Sequence, residues 1–201
     1  TGESIGRDAA HRNGTPHEAV HLWIMRNESR PALLFQLRAP HKENYPDCLD
    51  ITVGGHVPYA IGGNKVLKEA REELGFSPDE QSLVDLGWYR YEEKNGALFQ
   101  REIQHVFLVG DNRGLDSYSF RDGEVTGIFE VGLAELMQVM AGGGPFEVRG
   151  FNGSAMITKK VGRADFHPQL FHQSMEIYMR VVLQAAEELA ATGQVTVRLP
   201  E

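Results

Sequence analysis

The sequence predicts an α/β (α+β) fold, on two observations. Short apolar runs typical of β-strands follow one another through much of the chain, beginning at 19–25 and 32–37. Towards the C-terminus the apolar residues recur instead at steps of three and four, which is the period of an amphipathic helix. We therefore expect a set of strands that is closed by a long C-terminal helix.

The remaining elements follow from the same patterns and from the turn residues between them. A turn-type cluster at 27–31 favours a hairpin between the first two strands. Further apolar segments of strand length lie at 49–53, 81–92, 97–109, 117–120, 125–131 and 195–199. Helices are predicted at 64–74, 131–140 and 164–192. The Gly-rich stretch 146–163 carries no readable pattern, and no element is predicted there.

The predicted helix over 164–192 carries an apolar stripe and is followed by Gly193, a residue suited to a helix C-cap. Such a stripe favours packing onto the core, and a homodimer face is the lesser alternative. Nothing in the sequence marks a boundary between two units. We therefore expect a single domain over 1–201.

Composition limits the classes of function. The chain has 201 residues and a net charge of −8, which argues against non-specific binding to nucleic acid or to a membrane surface. No apolar run approaches the roughly 18 residues of a transmembrane helix. No N-terminal signal pattern is present. The single cysteine, Cys48, cannot form an internal disulfide, which fits a cytoplasmic location.

Residues 53–76 are the most informative segment, because a glycine pair leads through a loop into a helix with three carboxylates. Glu69 lies one turn before Glu72 and Glu73, so the three project from one helix face. Like charges at this spacing destabilise a bare helix, and carboxylate oxygens are ligands for hard divalent cations. The spacing alone leaves two interpretations open: a solvated acidic face or a metal site.

This segment resembles the Nudix box, the loop–helix motif of a family of diphosphate hydrolases. The family's helix half reads Arg-Glu-apolar-x-Glu-Glu-x-Gly-apolar. Here it reads Lys68-Glu69-Ala70-Arg71-Glu72-Glu73-Leu74-Gly75-Phe76, so that eight of nine positions fit and a lysine replaces the arginine. The glycine pair Gly54–Gly55 fits as well.

The loop of the box departs from the family pattern. It is one residue shorter, and the family's loop glutamate, which falls at Ala60 or Ile61, is absent. That glutamate and the box arginine resemble a structural ion pair in the family, and lysine is not equivalent to arginine in such a pair. We interpret both departures as the loss of one pair, with Lys68 extending towards water.

The resemblance implies a Nudix α/β/α sandwich with a mixed β-sheet and a metal-dependent pyrophosphohydrolase. Mg²⁺ or Mn²⁺ would be bound by Glu69, Glu72 and Glu73, with the Gly54 carbonyl as a further ligand, and would lower the pKa of an attacking water. Catalytic candidates are Glu69, Glu73 and Glu124. Glu69 and Glu124 compete as the general base, and Glu102 is a weaker candidate. Phosphate or substrate contacts are assigned to Arg38, Lys42 and His56.

Residues 10–76 further resemble the Nudix branch that includes isopentenyl-diphosphate isomerase. The isomerase has a catalytic cysteine directly before the Gly-His of the loop, where this chain has Gly54. It also binds a metal through histidines. His17 and His56 match two of them, and His11 matches a third with a one-residue gap. Imidazole suits transition metals, but each histidine could equally serve a structural hydrogen bond.

The sequence thus leads to one principal hypothesis and two alternatives. The principal hypothesis is hydrolysis of a small-molecule diphosphate linked to another moiety, of the nucleoside diphosphate-X type. A non-catalytic Nudix-fold binding module is the first alternative, favoured by the altered loop and opposed by the three retained carboxylates. An isomerase is the second, opposed by Gly54.

Overall fold

The fold is described from a computed structural model, which covers residues 9–10, 13–57, 64–95 and 98–200. Two parts of the predicted site, the loop positions Ala60–Ile61 and the histidine His11, lie outside these described residues. In the described part of the chain, nine strands form one sheet. They are β1 (His17–Asn27), β2 (Pro31–Arg38), β3 (Leu49–Asp50), β4 (Val53–His56), β5 (Val84–Asn95), β6 (Leu98–Gly110), β7 (Val125–Gly132), β8 (Phe146–Phe151) and β9 (Met156–Val161).

The sheet is mixed, as the sequence predicts. Its strand order is β5-β6-β1-β2-β7-β8-β9, and β3 and β4 pair with β2 and β1 respectively. Strands β1 and β6 run parallel, whereas the other pairs of neighbours are antiparallel. The predicted hairpin of β1 and β2 is confirmed, with Met25 opposite Leu33.

Among the elements whose bounds lie in the described residues, three α-helices cover the two faces of the sheet: α1 (Lys65–Leu74), α2 (Leu133–Met140) and α3 (Glu176–Thr192). Successive residues of a strand point to opposite faces. Accordingly, Leu22 and Ile24 of β1 pack in the hydrophobic cluster that contains the buried side of α1, while Trp23 packs in the cluster that contains α2 and α3. The result is the predicted sandwich, in which the carboxylate helix and the C-terminal helix lie on opposite faces.

The predicted strand over 49–53 is divided at Thr52. Its buried hydroxyl accepts a hydrogen bond from the Ile24 amide at 3.1 Å and donates one to the Leu34 carbonyl. The chain thereby crosses from β2, which pairs with β3, to β1, which pairs with β4. This crossing delivers Gly54 and Gly55 to the side of β1.

The helix predicted over 164–192 is shorter than expected, because it begins only at Glu176. Residues 163–175 form three short 3-10 turns instead, including Pro168–Phe171. Pro168 lacks an amide donor and holds His167 extended. The His167 and His172 rings cap the turns that follow them. The predicted end is confirmed, since Gly193 is left-handed at φ 73°.

Two strand predictions need correction, and one unassigned stretch contains strands. Residues 117–120 form no strand: Leu115–Ser117 is a 3-10 turn, and Ser119 bonds to the end of α1. Residues 195–199 form no strand either, because the Glu188 carboxylate accepts hydrogen bonds from the backbone amides of Thr196 and Val197. The unassigned stretch 146–163 contains the β8–β9 hairpin.

None of the described helices combines the length and the apolarity that crossing a bilayer would require.

Candidate active site

The described part of the predicted box segment consists of strand β4 and helix α1. Asn64 caps α1 by accepting the Val66 amide at 3.2 Å, and Gly75 ends the helix in the left-handed region at φ 60°. One side of α1 is buried on the sheet through Val66, Ala70 and Leu74. The helix is thereby fixed in rotation, with its three glutamates towards β4.

The structure brings all eight predicted site residues to one cavity, here called the carboxylate cavity. Asp122, Gln36 and Gly55 complete its lining. Asp122 was missed as a site residue, although its proximity to Glu124 in sequence places both in the same turn. The predicted residues are Arg38, Lys42, Gly54, His56, Glu69, Glu72, Glu73 and Glu124.

Glu73 is the most constrained carboxylate of this cavity. Its side chain is only 4 % exposed, and its Oε2 has no hydrogen-bond partner among the described residues. Burial raises the pKa of Glu73 well above its ordinary value, and the nearby carboxylates of Asp122, Glu69 and Glu124 raise it further. A buried acceptor among like charges is a site that a cation would stabilise. The residues present therefore fit a divalent metal ion.

Lys68 occupies part of this charge cluster. Its Nζ lies 2.6 Å from Glu72 Oε2 and 3.5 Å from Glu69 Oε1, and its side chain is 42 % exposed. The lysine that replaces the family's arginine thus faces water and the carboxylates. Burial raises the pKa of Glu69 despite this neighbouring ammonium.

The two predicted phosphate-binding cations already have protein partners. Lys42 Nζ lies 2.6 Å from Glu124 Oε2. The Arg38 guanidinium bonds to Asp50 at 2.9 Å and to two backbone carbonyls, those of Asn44 and Tyr45. Arg38 is therefore held by three partners at the wall of the cavity, whereas Lys42 lines the cavity with its ammonium on Glu124.

A second group of potential metal ligands lies on the other side of β4. His17, His56 and Glu102 place one ligand atom each within 4.8 Å of one another. The strand register explains why these three residues meet. His17 of β1 lies opposite Glu102 of β6, and Ala19 of β1 lies opposite His56 of β4. His17 Nδ1 bonds to the Thr15 carbonyl, which leaves the lone pair on Nε2. Glu102 thus joins the two predicted histidines.

Next to this group lies a second cavity, here called the chamber. It shares Gln36, Arg38, Gly54, Gly55 and His56 with the carboxylate cavity. Apart from Glu102, the weaker general-base candidate, its other polar residues were not predicted from the sequence. The sequence does carry one signal of such a lining, namely polar residues at alternate positions of an otherwise apolar strand. In β6, Glu102 and Gln104 lie on the same strand face as the apolar Val106 and Leu108. The polar lining includes His21, Tyr91, Gln100, Gln104, His167 and Gln169.

Comparison with family models gave no match. A Nudix hydrolase of Clostridium acetobutylicum is 26 % identical over 188 residues, which cover 89 % of this chain and 88 % of that protein. Nudix hydrolase 3 of Arabidopsis thaliana is 33 % identical over 114 residues; these are 54 % of this chain but only 14 % of that protein.

Among solved structures, a NUDIX hydrolase from Alicyclobacillus acidocaldarius aligns with a TM-score of 0.52 at 12 % identity, over 92 % of this chain and 98 % of that one. The chain has the Nudix fold. This fold, together with the Nudix hydrolase names of both relatives, confirms the resemblance to Nudix proteins found in the sequence.

Proposed function

We propose that this Nudix-fold chain is a metal-dependent pyrophosphohydrolase that cleaves a diphosphate linked to another moiety. The observation that carries the proposal is Glu73, a buried carboxylate with an unpartnered oxygen in a cavity that also holds Glu69, Glu72 and Asp122. Such a cluster is costly to a protein that only binds a ligand, because like charges repel and buried charges lose hydration. A divalent cation bound together with a diphosphate would reduce both the repulsion between the carboxylates and the penalty for their lost hydration.

Glu69, Glu72 and Glu73 would hold Mg²⁺ or Mn²⁺, with the Gly54 carbonyl as a further ligand. When bound, the metal supplies charge neutralisation and a water of lowered pKa. The protein positions the diphosphate through Lys42, whose ammonium reaches into the carboxylate cavity. Water attacks phosphorus, the P–O–P bond breaks, and a phosphate ester leaves. Positioning and electrostatic stabilisation supply most of the acceleration.

The proton of the attacking water goes to Glu69 or to Glu124. Burial raises the pKa of Glu69, which brings a carboxylate closer to the neutral range where a general base is most effective. Glu124 is more exposed and pairs with Lys42. It can act as the base only after the Lys42 ammonium has moved from Glu124 to the phosphates.

Both curated relatives are named Nudix hydrolases, which supports an enzyme of this class.

The structure offers no support for cysteine chemistry at the site. Gly54 occupies the position that corresponds to the isomerase cysteine. Cys48 lines neither the carboxylate cavity nor the chamber, and its Sγ donates to the Tyr45 carbonyl at 3.1 Å. Burial raises the pKa of the Cys48 thiol to about 12, so the thiolate is scarce at neutral pH.

The decisive experiment compares wild type with Glu73→Gln on a panel of nucleoside triphosphates, sugar nucleotides, dinucleotide cofactors and isoprenoid diphosphates. We expect release of phosphate or monophosphate only with Mg²⁺ or Mn²⁺, and a loss of at least about a hundredfold in the variant. Glu187→Gln, an exposed glutamate on α3, is the matched control. Metal binding without turnover of any compound would instead establish the binding module.

We further propose that His17, His56 and Glu102 form a second metal site, for a transition-metal ion. Imidazole and carboxylate ligands suit such ions. The Gln104 amide donates to the second oxygen of Glu102 at 2.9 Å, a type of supporting contact that orients metal-binding carboxylates. We also propose that the chain acts in the cytoplasm and that its partner is a small-molecule diphosphate. A homodimer remains a prediction of the sequence.

A further inference from the structure

The chamber differs in chemistry from the carboxylate cavity beside it. The two carboxylates at its wall each have a neighbour: Asp50 lies 2.9 Å from the Arg38 guanidinium, and Glu102 lies 3.4 Å from His56 Nε2. The other polar groups are amides, imidazoles and the phenols of Tyr45 and Tyr91. Apolar side chains are few, namely Ala19, Ile51, Leu170 and Met175. Apart from the Arg38–Asp50 pair and the His56–Glu102 corner, the chamber is thus lined mainly by uncharged hydrogen-bonding groups.

Gln104 presents an unsatisfied acceptor in this chamber. The residue is 4 % exposed, and its Nε2 donates to Glu102 Oε2 at 2.9 Å. A carboxylate can only accept, so this contact fixes which end of the amide is oxygen. The remaining Oε1 is buried and has no hydrogen-bond partner among the described residues. An unpaired buried acceptor is destabilising, and a donor from a ligand would remove that cost.

His21 adds a neutral group with a defined tautomer. Trp23 Nε1–H donates to the Tyr178 hydroxyl at 2.9 Å, and that hydroxyl lies 2.9 Å from His21 Nδ1. The tautomer in which the Tyr178 hydroxyl accepts from Trp23 and donates to Nδ1 uses the phenol proton as well, and it places the hydrogen of His21 on Nε2. Burial lowers the pKa of His21 to about 4, so the ring is uncharged at neutral pH.

We propose that the chamber binds a hydroxyl-bearing, sugar-like moiety of the diphosphate substrate, and that Gln104 Oε1 accepts a hydrogen bond from one of its hydroxyls. This inference rests on the proposed function, because the diphosphate in the carboxylate cavity must lie next to the chamber. The glycine pair forms the wall common to both spaces. A prenyl group would leave Gln104 and the neighbouring polar groups unpaired, which disfavours isoprenoid diphosphates.

The test combines a residue change with substrate changes. Wild type, Gln104→Met and the exposed control Gln81→Met are assayed with UDP-glucose, with its monodeoxy analogues and with dimethylallyl diphosphate. We expect one deoxy analogue to lose about tenfold to a hundredfold in kcat/KM with wild type. Gln104→Met also removes the contact with Glu102, and it does so with either substrate, so the informative quantity is the ratio of kcat/KM between UDP-glucose and that analogue. This ratio should fall towards one in Gln104→Met, because the variant lacks the acceptor that distinguishes the two compounds.

Different outcomes separate this inference from the proposed function. If dimethylallyl diphosphate is the better substrate, or if all deoxy analogues react equally, the chamber assignment is wrong while hydrolysis stands. If nothing is turned over, the proposed function fails, and calorimetry of UDP-glucose binding with Mn²⁺ tests the chamber alone. Weaker binding of one deoxy analogue supports it, and equal or no binding overturns it. The deoxy series on wild type keeps the test valid if Gln104→Met does not fold.

Discussion

Glu69 packs directly against Gly55. A β-carbon at Gly55 would lie 2.6 Å from the carboxylate carbon of Glu69, whereas one at Gly54 would meet nothing closer than His21 Cδ2 at 3.7 Å. The second glycine of the pair therefore makes room for a predicted metal ligand. Its lack of a side chain is a requirement of the site rather than of the backbone conformation.

Gly55→Ala should displace the Glu69 carboxylate and lower the metal-dependent kcat/KM by about tenfold to a hundredfold, because misplacing a site group by about 1 Å has effects of this size. Stability should change little, since the flexible end of Glu69 can move. Steady-state assays with a thermal melt of the same preparation check both parts. Gly54→Ala is the matched comparison and should lose less. Equal losses for the two variants would refute the role of this contact.

Lys68→Met should strengthen metal binding. The ammonium of Lys68 neutralises Glu69 and Glu72 in the metal-free protein, and a metal ion has to displace it. Without it, the carboxylates repel one another until a cation binds. We expect a lower melting temperature without metal, a larger rise on adding Mn²⁺, and a severalfold tighter Mn²⁺ affinity by calorimetry. Lys65→Met, on the same helix, should show none of these changes.

His21 should make the protein less stable in mild acid. Its pKa is about 4 when folded and 6.5 as its ordinary value, so below pH 6.5 the unfolded chain binds a proton that the folded chain does not. Its contribution to stability is therefore present above pH 6.5 and declines as the pH falls towards 4. Relative to His21→Gln, wild type should lose about 2 kcal/mol between pH 6.5 and pH 5.

Urea unfolding at several pH values measures this difference. His41→Gln, at an exposed histidine, is the control and should follow wild type. A constant difference between wild type and His21→Gln over this range would contradict the assignment of a buried, neutral ring.

His56→Gln should abolish one of two metal-binding events. Calorimetric titration with Co²⁺ is expected to show a site in wild type that is lost in His56→Gln and in Glu102→Gln, because each change removes one ligand of a three-ligand group. His105→Gln, whose ring pairs with Asp85 at 3.0 Å outside this group, should retain it. Unchanged Co²⁺ binding in both ligand variants would exclude the second site.

Local sequence determined much of the carboxylate cavity. The box helix, its capping residue Asn64 and its end at Gly75 are properties of adjacent residues, so they could be predicted within one residue. The apolar periodicity of α3 could be predicted for the same reason, but the residue at which α3 begins could not. The turns of 163–175 depend on Pro168 and on histidine caps, which interrupt a pattern that otherwise looks helical.

The sequence by itself determined the fold family, the three glutamates and the chain's negative charge, because these rest on local spacing and composition. Only the tertiary structure decided which distant groups meet them. The parallel pairing of β1 with β6 brings Glu102 to His17, and the crossing at Thr52 sets Gly54 and Gly55 between the two cavities. Strand register is set by packing across the whole sheet, so no short segment encodes the unpaired oxygen of Gln104.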